Sequence, residues 1–167
     1  MSRDGTLTAR REHDTGREAL YAAELAAFDG TVYEAVVPFA ELVELAARVT
    51  AAPWWPAGHI EVVHARSDAG SSSTRQRGDA RPVVRVASGQ ATPATVLHEL
   101  AHVLAGITAG HGPRYRRAYL DLVGFCWGHT AASWLRNEFD GSWLAVGERD
   151  WPQPPVAAEP VAGPIAL

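Results

Sequence analysis

Apolar residues recur at the three- and four-residue spacing of a helix in several segments of the chain. Leu42, Ala46 and Val49 share one such face. Thr92 followed by Pro93 is typical of a helix start, with an N-cap side chain and then proline in the first turn. The pattern predicts helices over residues 15–28, 38–49, 93–105, 113–126 and 129–139.

Three shorter segments, residues 31–37, 60–65 and 82–87, are rich in β-branched residues and predict strands. Residues 67–80 combine glycine, serine and arginine without apolar periodicity, so we expect a loop there. Because Pro82 cannot donate a hydrogen bond to a neighbouring strand, we expect the strand that it begins to lie at a sheet edge. The fold class predicted is α+β, a small twisted sheet with helices packed against it.

The two ends of the chain are more polar than its centre. Thr15 with Glu18 three residues later forms a capping-box pattern, and residues 1–13 before it are expected to be a disordered polar arm. Residues 147–167 are proline-rich, so we expect a disordered tail there. Between them, residues 14–146 have the size of a single domain.

Charge and cysteine content exclude several classes of protein. Fifteen basic residues against nineteen acidic ones give a net charge of −4, which argues against a general nucleic-acid binder. No segment resembles a signal peptide or a membrane span, so we expect a cytoplasmic location without a membrane partner. The single cysteine, Cys126, excludes an internal disulfide and a Cys-rich zinc finger. Seven histidines remain, and a metal site would use histidine and carboxylate ligands.

The predicted helix over residues 93–105 contains the sequence His-Glu-Leu-Ala-His, an HExxH pattern that begins at His98. Imidazoles four residues apart lie on one helix face, so His98 and His102 can reach one zinc ion at about 2.0–2.1 Å. Glu99 projects about 100° around the helix from His98, which suits a general base acting on a zinc-bound water. The pattern therefore predicts a zinc-dependent hydrolase, and we expect a metallopeptidase.

Catalytic zinc sites have three protein ligands, and the residues after the motif offer candidates for the third. His111 follows Gly106 and Gly110, which let the chain leave the helix and turn back. Asp121 is the alternative, although its position four residues after Arg117 also predicts a surface ion pair. We favour His111 and keep Asp121 open.

The HExxH motif followed by His-Gly-Pro-Arg-Tyr at residues 111–115 resembles the SprT-like branch of zincin metallopeptidases, over about residues 82–126. The resemblance implies a zincin-type metal-binding helix on the sheet. It also implies one Zn²⁺ ion held by His98, His102 and His111, with Glu99 as catalytic acid and base. Over its whole length the chain more closely resembles a group of metallohydrolases from actinobacteria and phages.

The chain also departs from the SprT-like pattern. The segment between His102 and His111 is shorter, and one cysteine cannot form the zinc ribbon that many of those proteins carry. We therefore expect a peptide or protein substrate and no nucleic-acid partner. Two alternatives stay open: a non-catalytic zinc-binding regulatory protein with the same ligands, and a nucleic-acid-associated SprT-like protease, which would need a basic surface.

Three features near the motif have both a functional and a structural interpretation. Residues 81–87 offer an edge strand on which an extended peptide substrate could pair, or a purely structural strand. Tyr115 is a candidate for stabilising the scissile carbonyl, as is Tyr119, but both lie on an apolar helix face that predicts core packing. Arginines in the 67–80 loop either hold an acidic substrate or are simply solvated.

Overall fold

In a computed structural model the chain is described over residues 5–158, which form helices and one small mixed sheet. The helices are α1 (Gly5–Phe28), α2 (Phe39–Thr50), α3 (Pro93–Ala105) and α4 (Pro113–Gly141). The strands are β1 (Glu61–His64), β2 (Ser73–Arg75) and β3 (Val83–Val86), and short 3-10 turns at Ser88–Gln90 and Ile107–Ala109 flank α3. The predicted α+β class is confirmed.

The central strand of the sheet is β3, which runs parallel to β1 and antiparallel to β2. The edge position predicted for residues 81–87 is therefore wrong. Pro82 precedes Val83, the first residue of the ladder, so its missing N–H removes no hydrogen bond from the sheet. The edge strand beside α3 is β2, which lies within residues 67–80, where a loop was predicted throughout.

Helix α3 packs against the sheet on one side and against α4 on another. It begins as predicted, because the Thr92 hydroxyl oxygen accepts a hydrogen bond of 3.2 Å from the backbone N–H of Thr95 and proline follows directly. It also ends as predicted at Gly106, which adopts φ 91°. Fully buried Leu97 and Leu100 place the apolar face of α3 in the core.

Residues 31–37 form turns instead of the predicted strand. The Thr31 hydroxyl donates a 2.6 Å hydrogen bond to the carbonyl of Phe28, and its oxygen accepts one of 3.2 Å from the N–H of Tyr33. These local bonds satisfy the backbone after α1 without a strand partner. The β-branched composition of the segment was therefore not sufficient to form a strand.

Helix α1 begins at Gly5, ten positions before the predicted cap. Thr15 lies inside this helix, so the prediction that it caps the helix is wrong. Residues 5–13 of the predicted polar arm follow the helical backbone, whereas residues 1–4 lie outside the described residues. None of the helices within residues 5–158 is both long and apolar enough to cross a bilayer.

Residues 147–158 pack along α4, so the prediction of a disordered tail is wrong for this segment. Trp151 is 6% exposed and donates its indole N–H to the Asp121 carboxylate at 3.0 Å. Arg149 donates two hydrogen bonds of 2.9 Å to the same carboxylate. Asp150 pairs with Arg114. The backbone N–H groups of Gly147 and Ala157 donate to carbonyls of α4. Side-chain and backbone contacts thus fix a segment without helix or strand. Residues 159–167 lie outside the described part of the chain.

The two helices predicted over residues 113–126 and 129–139 occur as one element, α4, with a break between them. Gly128 forms the break at φ 89° and ψ −177°, a backbone conformation that other residues rarely adopt. The first half of α4 carries Tyr115 and Tyr119, whose rings pack against His98 of α3. The second half contributes Leu135 and Phe139 to the core.

Candidate metal centre

Three histidines converge where α3 meets the segment that leads into α4. One ring nitrogen from each of His98, His102 and His111 lies within 4.8 Å of the other two. The Nε2 atoms of His98 and His111 are 3.3 Å apart. Two ligands of a tetrahedral zinc ion at 2.0–2.1 Å lie roughly 3.4 Å from each other. The donor set and this separation fit one shared ion.

His111 reaches the cluster because the chain reverses direction after α3. A 3-10 turn follows Gly106, and Gly110 then adopts φ 58° and ψ −143°, a combination open essentially only to glycine. Arg114 donates from Nε to the carbonyl of Ala105 at 2.6 Å and holds the start of α4 against the end of α3. The short connection therefore brings His111 back over its own motif.

Asp121, the alternative third ligand, lies outside the histidine cluster. Its carboxylate is buried and accepts hydrogen bonds from Arg149 and from the indole of Trp151. The predicted ion pair with Arg117 is present, but its distance of 3.9 Å is longer than the 2.9 Å contacts with Arg149. The prediction of a surface pair is wrong, because the Asp121 carboxylate is buried. The placement of Asp121 favours His111 as the third ligand.

Glu24 of α1 is the residue of the site that sequence reasoning missed. Its two carboxylate oxygens lie 2.9 and 3.0 Å from Nδ1 of His98, and both side chains are about nine-tenths buried. Burial is the largest single influence and would lower the pKa of His98, but the charge and hydrogen bond of Glu24 together with the charge of Glu99 outweigh it, and the pKa is raised. With Nδ1 bonded to Glu24, the opposite nitrogen of the ring, Nε2, faces His111. A carboxylate bonded to the far nitrogen of a histidine ligand fixes the ring orientation.

His102 has the opposite electrostatic environment. Burial, with a further contribution from His98, lowers the pKa of His102 to about 3. The imidazole is therefore neutral at ordinary pH, which is the protonation state in which histidine binds a metal.

Glu99 lies beside the histidine cluster and not within it. Its side chain is 6% exposed, and Oε2 accepts a 2.6 Å hydrogen bond from the Thr74 hydroxyl of β2. Burial raises the pKa of Glu99, although His98 and Thr74 act in the opposite direction. A carboxyl group with a raised pKa, held beside a metal site, has the position and the proton affinity that a general base needs.

The tyrosine at the mouth of the site is Tyr21. Tyr115 is fully buried, and its hydroxyl donates to the backbone carbonyl of His98 at 3.3 Å, which favours its packing interpretation. Tyr119 is also fully buried, which favours the packing interpretation for this residue too. Tyr21 is 40% exposed, and its ring centre lies 5.5 Å from that of His98 and 5.4 Å from that of His111.

A cavity of about 510 Å³ opens beside the cluster and is bordered by His98 and Glu99. Tyr21 and Glu34 line it from the α1 side and from the turn that follows α1. Burial, reinforced by the nearby Glu24 charge, raises the pKa of Glu34. The cavity connects the candidate site to solvent and has room for part of an extended chain.

Comparisons of the chain with protein-family models, with curated proteins and with solved structures find no match. The resemblance to SprT-like zincins therefore stays a prediction that rests on the motif at residues 98–102 and the segment at residues 111–115.

Proposed function

We propose that this chain is a zinc-dependent hydrolase, specifically a metallopeptidase. His98, His102 and His111 would hold one zinc ion, and Glu99 would act as general base and acid. The observation that carries the proposal is the convergence of three ring nitrogens within 4.8 Å beside a buried glutamate at the wall of a cavity. When bound, the zinc ion would supply a Lewis acid for a carbonyl substrate and lower the pKa of water.

The donor set favours a catalytic over a purely structural ion. Structural zinc sites use four protein ligands, whereas catalytic sites use three and keep one position open. Among the described residues the metal-binding group contains three histidines and no fourth ligand. Glu24 would orient His98 toward the ion, and the pKa of His102 keeps that ring neutral.

Glu99 would move the proton in the reaction. It would accept a proton from the attacking water and return it to the amine that leaves the cleaved peptide bond. The hydrogen bond from Thr74 holds its carboxylate in place. Tyr21 would donate a hydrogen bond from its hydroxyl to the carbonyl oxygen, because its own oxygen already accepts a 3.2 Å hydrogen bond from Nε of Arg17.

The test compares the wild-type chain with Glu99→Gln, using Glu44→Gln on the exposed face of α2 as a charge-matched control. Metal content is measured by elemental analysis after zinc loading, and cleavage is followed on unfolded casein. We expect about one zinc per chain in all three proteins, and a loss of cleavage of about 10²–10⁴-fold in Glu99→Gln alone.

Two results would contradict the proposal. If the wild-type chain did not retain zinc, the proposed zinc site would be ruled out. If wild type and Glu99→Gln both bound zinc and did not differ in casein cleavage, the proposed catalytic function would be ruled out. That result would support a non-catalytic zinc-binding regulator.

A further inference from the structure

Arginines gather on the hairpin formed by β2 and β3, although the chain as a whole is acidic. Arg75, Arg77, Arg81 and Arg85 together line one hollow of about 520 Å³. We call these four residues the arginine face. No carboxylate within the described residues lies within ion-pair distance of any of them, whereas other arginines of the chain have such partners.

The arginine face lies on the outer side of the sheet. In β2 the side chain of Thr74 points toward α3, where it bonds to Glu99. Neighbouring residues of a strand point to opposite faces, so Arg75 points away from α3. Arg85 pairs with Ser73 across the ladder and shares that outer face. The cationic surface and the candidate site therefore lie on opposite sides of one strand.

The outer edge of β2 is available for pairing. Within residues 5–158, β3 is the only strand that pairs with β2. The backbone N–H and C=O groups of β2 that point away from β3 are the groups that an extended polypeptide bonds when it adds a strand to a sheet. This edge also adjoins Glu99, through Thr74.

We propose that the edge of β2 binds extended polypeptide segments with acidic residues at alternate positions, and that the arginine face selects them. The proposal names a substrate class for the metallopeptidase and so rests on the proposed function. In an added strand, the residue opposite Thr74 would point toward α3 and Glu99. The residues on either side of it would point to the outer face, next to Arg75.

A polypeptide fits this surface better than a nucleic acid. The backbone edge of β2 offers donors and acceptors at the spacing of a peptide strand, which a phosphodiester chain does not match. The residues that line the hollow include no aromatic side chain on which a base could stack. Charge complementarity alone would allow either polyanion, so the test includes both.

The test measures binding by fluorescence anisotropy with the full chain, in zinc-containing buffer and again with chelator. The probes are a labelled nine-residue peptide with glutamate at alternate positions, the same peptide with glutamine, and a labelled nine-residue oligothymidylate. We expect the glutamate peptide to bind about five- to twenty-fold more tightly than the glutamine peptide. The double variant Arg75→Gln/Arg77→Gln should abolish that preference.

The control is Arg48→Gln, which removes one exposed arginine from α2 outside the arginine face. It should leave the preference unchanged. Equal affinity for the two peptides would overturn the proposal. Tighter binding of the oligothymidylate, lost in the double variant, would overturn it in favour of a nucleic-acid surface.

Failure of this proposal can be told apart from failure of the proposed function. A preference for the glutamate peptide that persists with chelator, in a chain that cleaves nothing, would support the arginine face and reject the peptidase. Zinc-dependent cleavage of casein without any preference between the peptides would support the peptidase and reject the role of the arginine face.

Discussion

Nδ1 of His98 lies 2.9 Å from a carboxylate oxygen of Glu24, although the two residues are 74 positions apart in the chain. Helix α1 thereby contributes to a candidate metal centre whose proposed ligands all come from α3 and the segment after it. The contact aims Nε2 of His98 at the other histidines, and a carboxylate partner also increases the basicity of the ring as a ligand.

The first prediction concerns this contact. Glu24→Gln should weaken zinc binding by about 10–100-fold, because a neutral amide neither fixes nor polarises the imidazole as a carboxylate does. Competition against a chromophoric chelator measures the affinity. Glu18→Gln, on an exposed position of the same helix, serves as the control. An unchanged zinc Kd in Glu24→Gln would show that the contact only stabilises the fold.

The second prediction separates His111 from Asp121. His111→Ala should lower zinc affinity by more than about 100-fold, because it removes a proposed ligand and not merely an orienting partner. Asp121→Asn should bind zinc like the wild type but lose about 2–4 kcal/mol of stability, because it leaves the Arg149 guanidinium without its partner. Chelator competition and thermal unfolding of both variants give the two readouts. The opposite pattern would identify Asp121 as the ligand.

Local signals in the sequence were sufficient to predict α3 and its motif. Thr92, Pro93 and Gly106 act within a few residues of the helix ends that they determine. The spacing of His98 and His102 places both rings on one face wherever that helix lies. The helix and two of the three candidate ligands could therefore be predicted without knowledge of the tertiary fold.

Long-range contacts determine the features that the sequence did not predict. The three residues of β2 form a strand because β3 pairs with them, and their own pattern is that of a loop. Glu24 was accessible only through a weak signal, since it lies four residues after Leu20 and four before Phe28, on the apolar face of the first helix. Trp151 becomes buried through contacts with α4 that a proline-rich composition does not indicate.

The third prediction assigns the two tyrosines different effects. Tyr21→Phe should lower kcat by about 10–100-fold with zinc retained, because it removes the proposed hydroxyl donor at the cavity. Tyr115→Phe should lower the melting temperature, because its buried hydroxyl bonds to the carbonyl of His98, with a smaller change in kcat. Steady-state kinetics on a peptide substrate measure kcat for the two variants, and thermal unfolding measures their melting temperatures. If only Tyr115→Phe reduced kcat, Tyr115 and not Tyr21 would be the residue that stabilises the carbonyl.

The fourth prediction does not depend on the metal. Burial raises the pKa of the Cys126 thiol from 9 to about 12, because this partly buried side chain packs against the core, where a thiolate is poorly solvated. Between pH 7 and 9 the thiolate population of the folded protein should then be about a thousandth of that of an ordinary thiol.

Because only the thiolate is nucleophilic, alkylation of folded Cys126 by iodoacetamide should be slow. Its rate should rise about tenfold per pH unit without a plateau up to pH 10. In denaturant the rate should be high and level off near pH 9. The same shift predicts that the folded state is favoured below pH 9, and that this contribution is lost between pH 9 and 12 as the unfolded thiol ionises first. A plateau near pH 9 in the folded protein would show that Cys126 is solvated, and that this part of α4 opens more readily than its packing indicates.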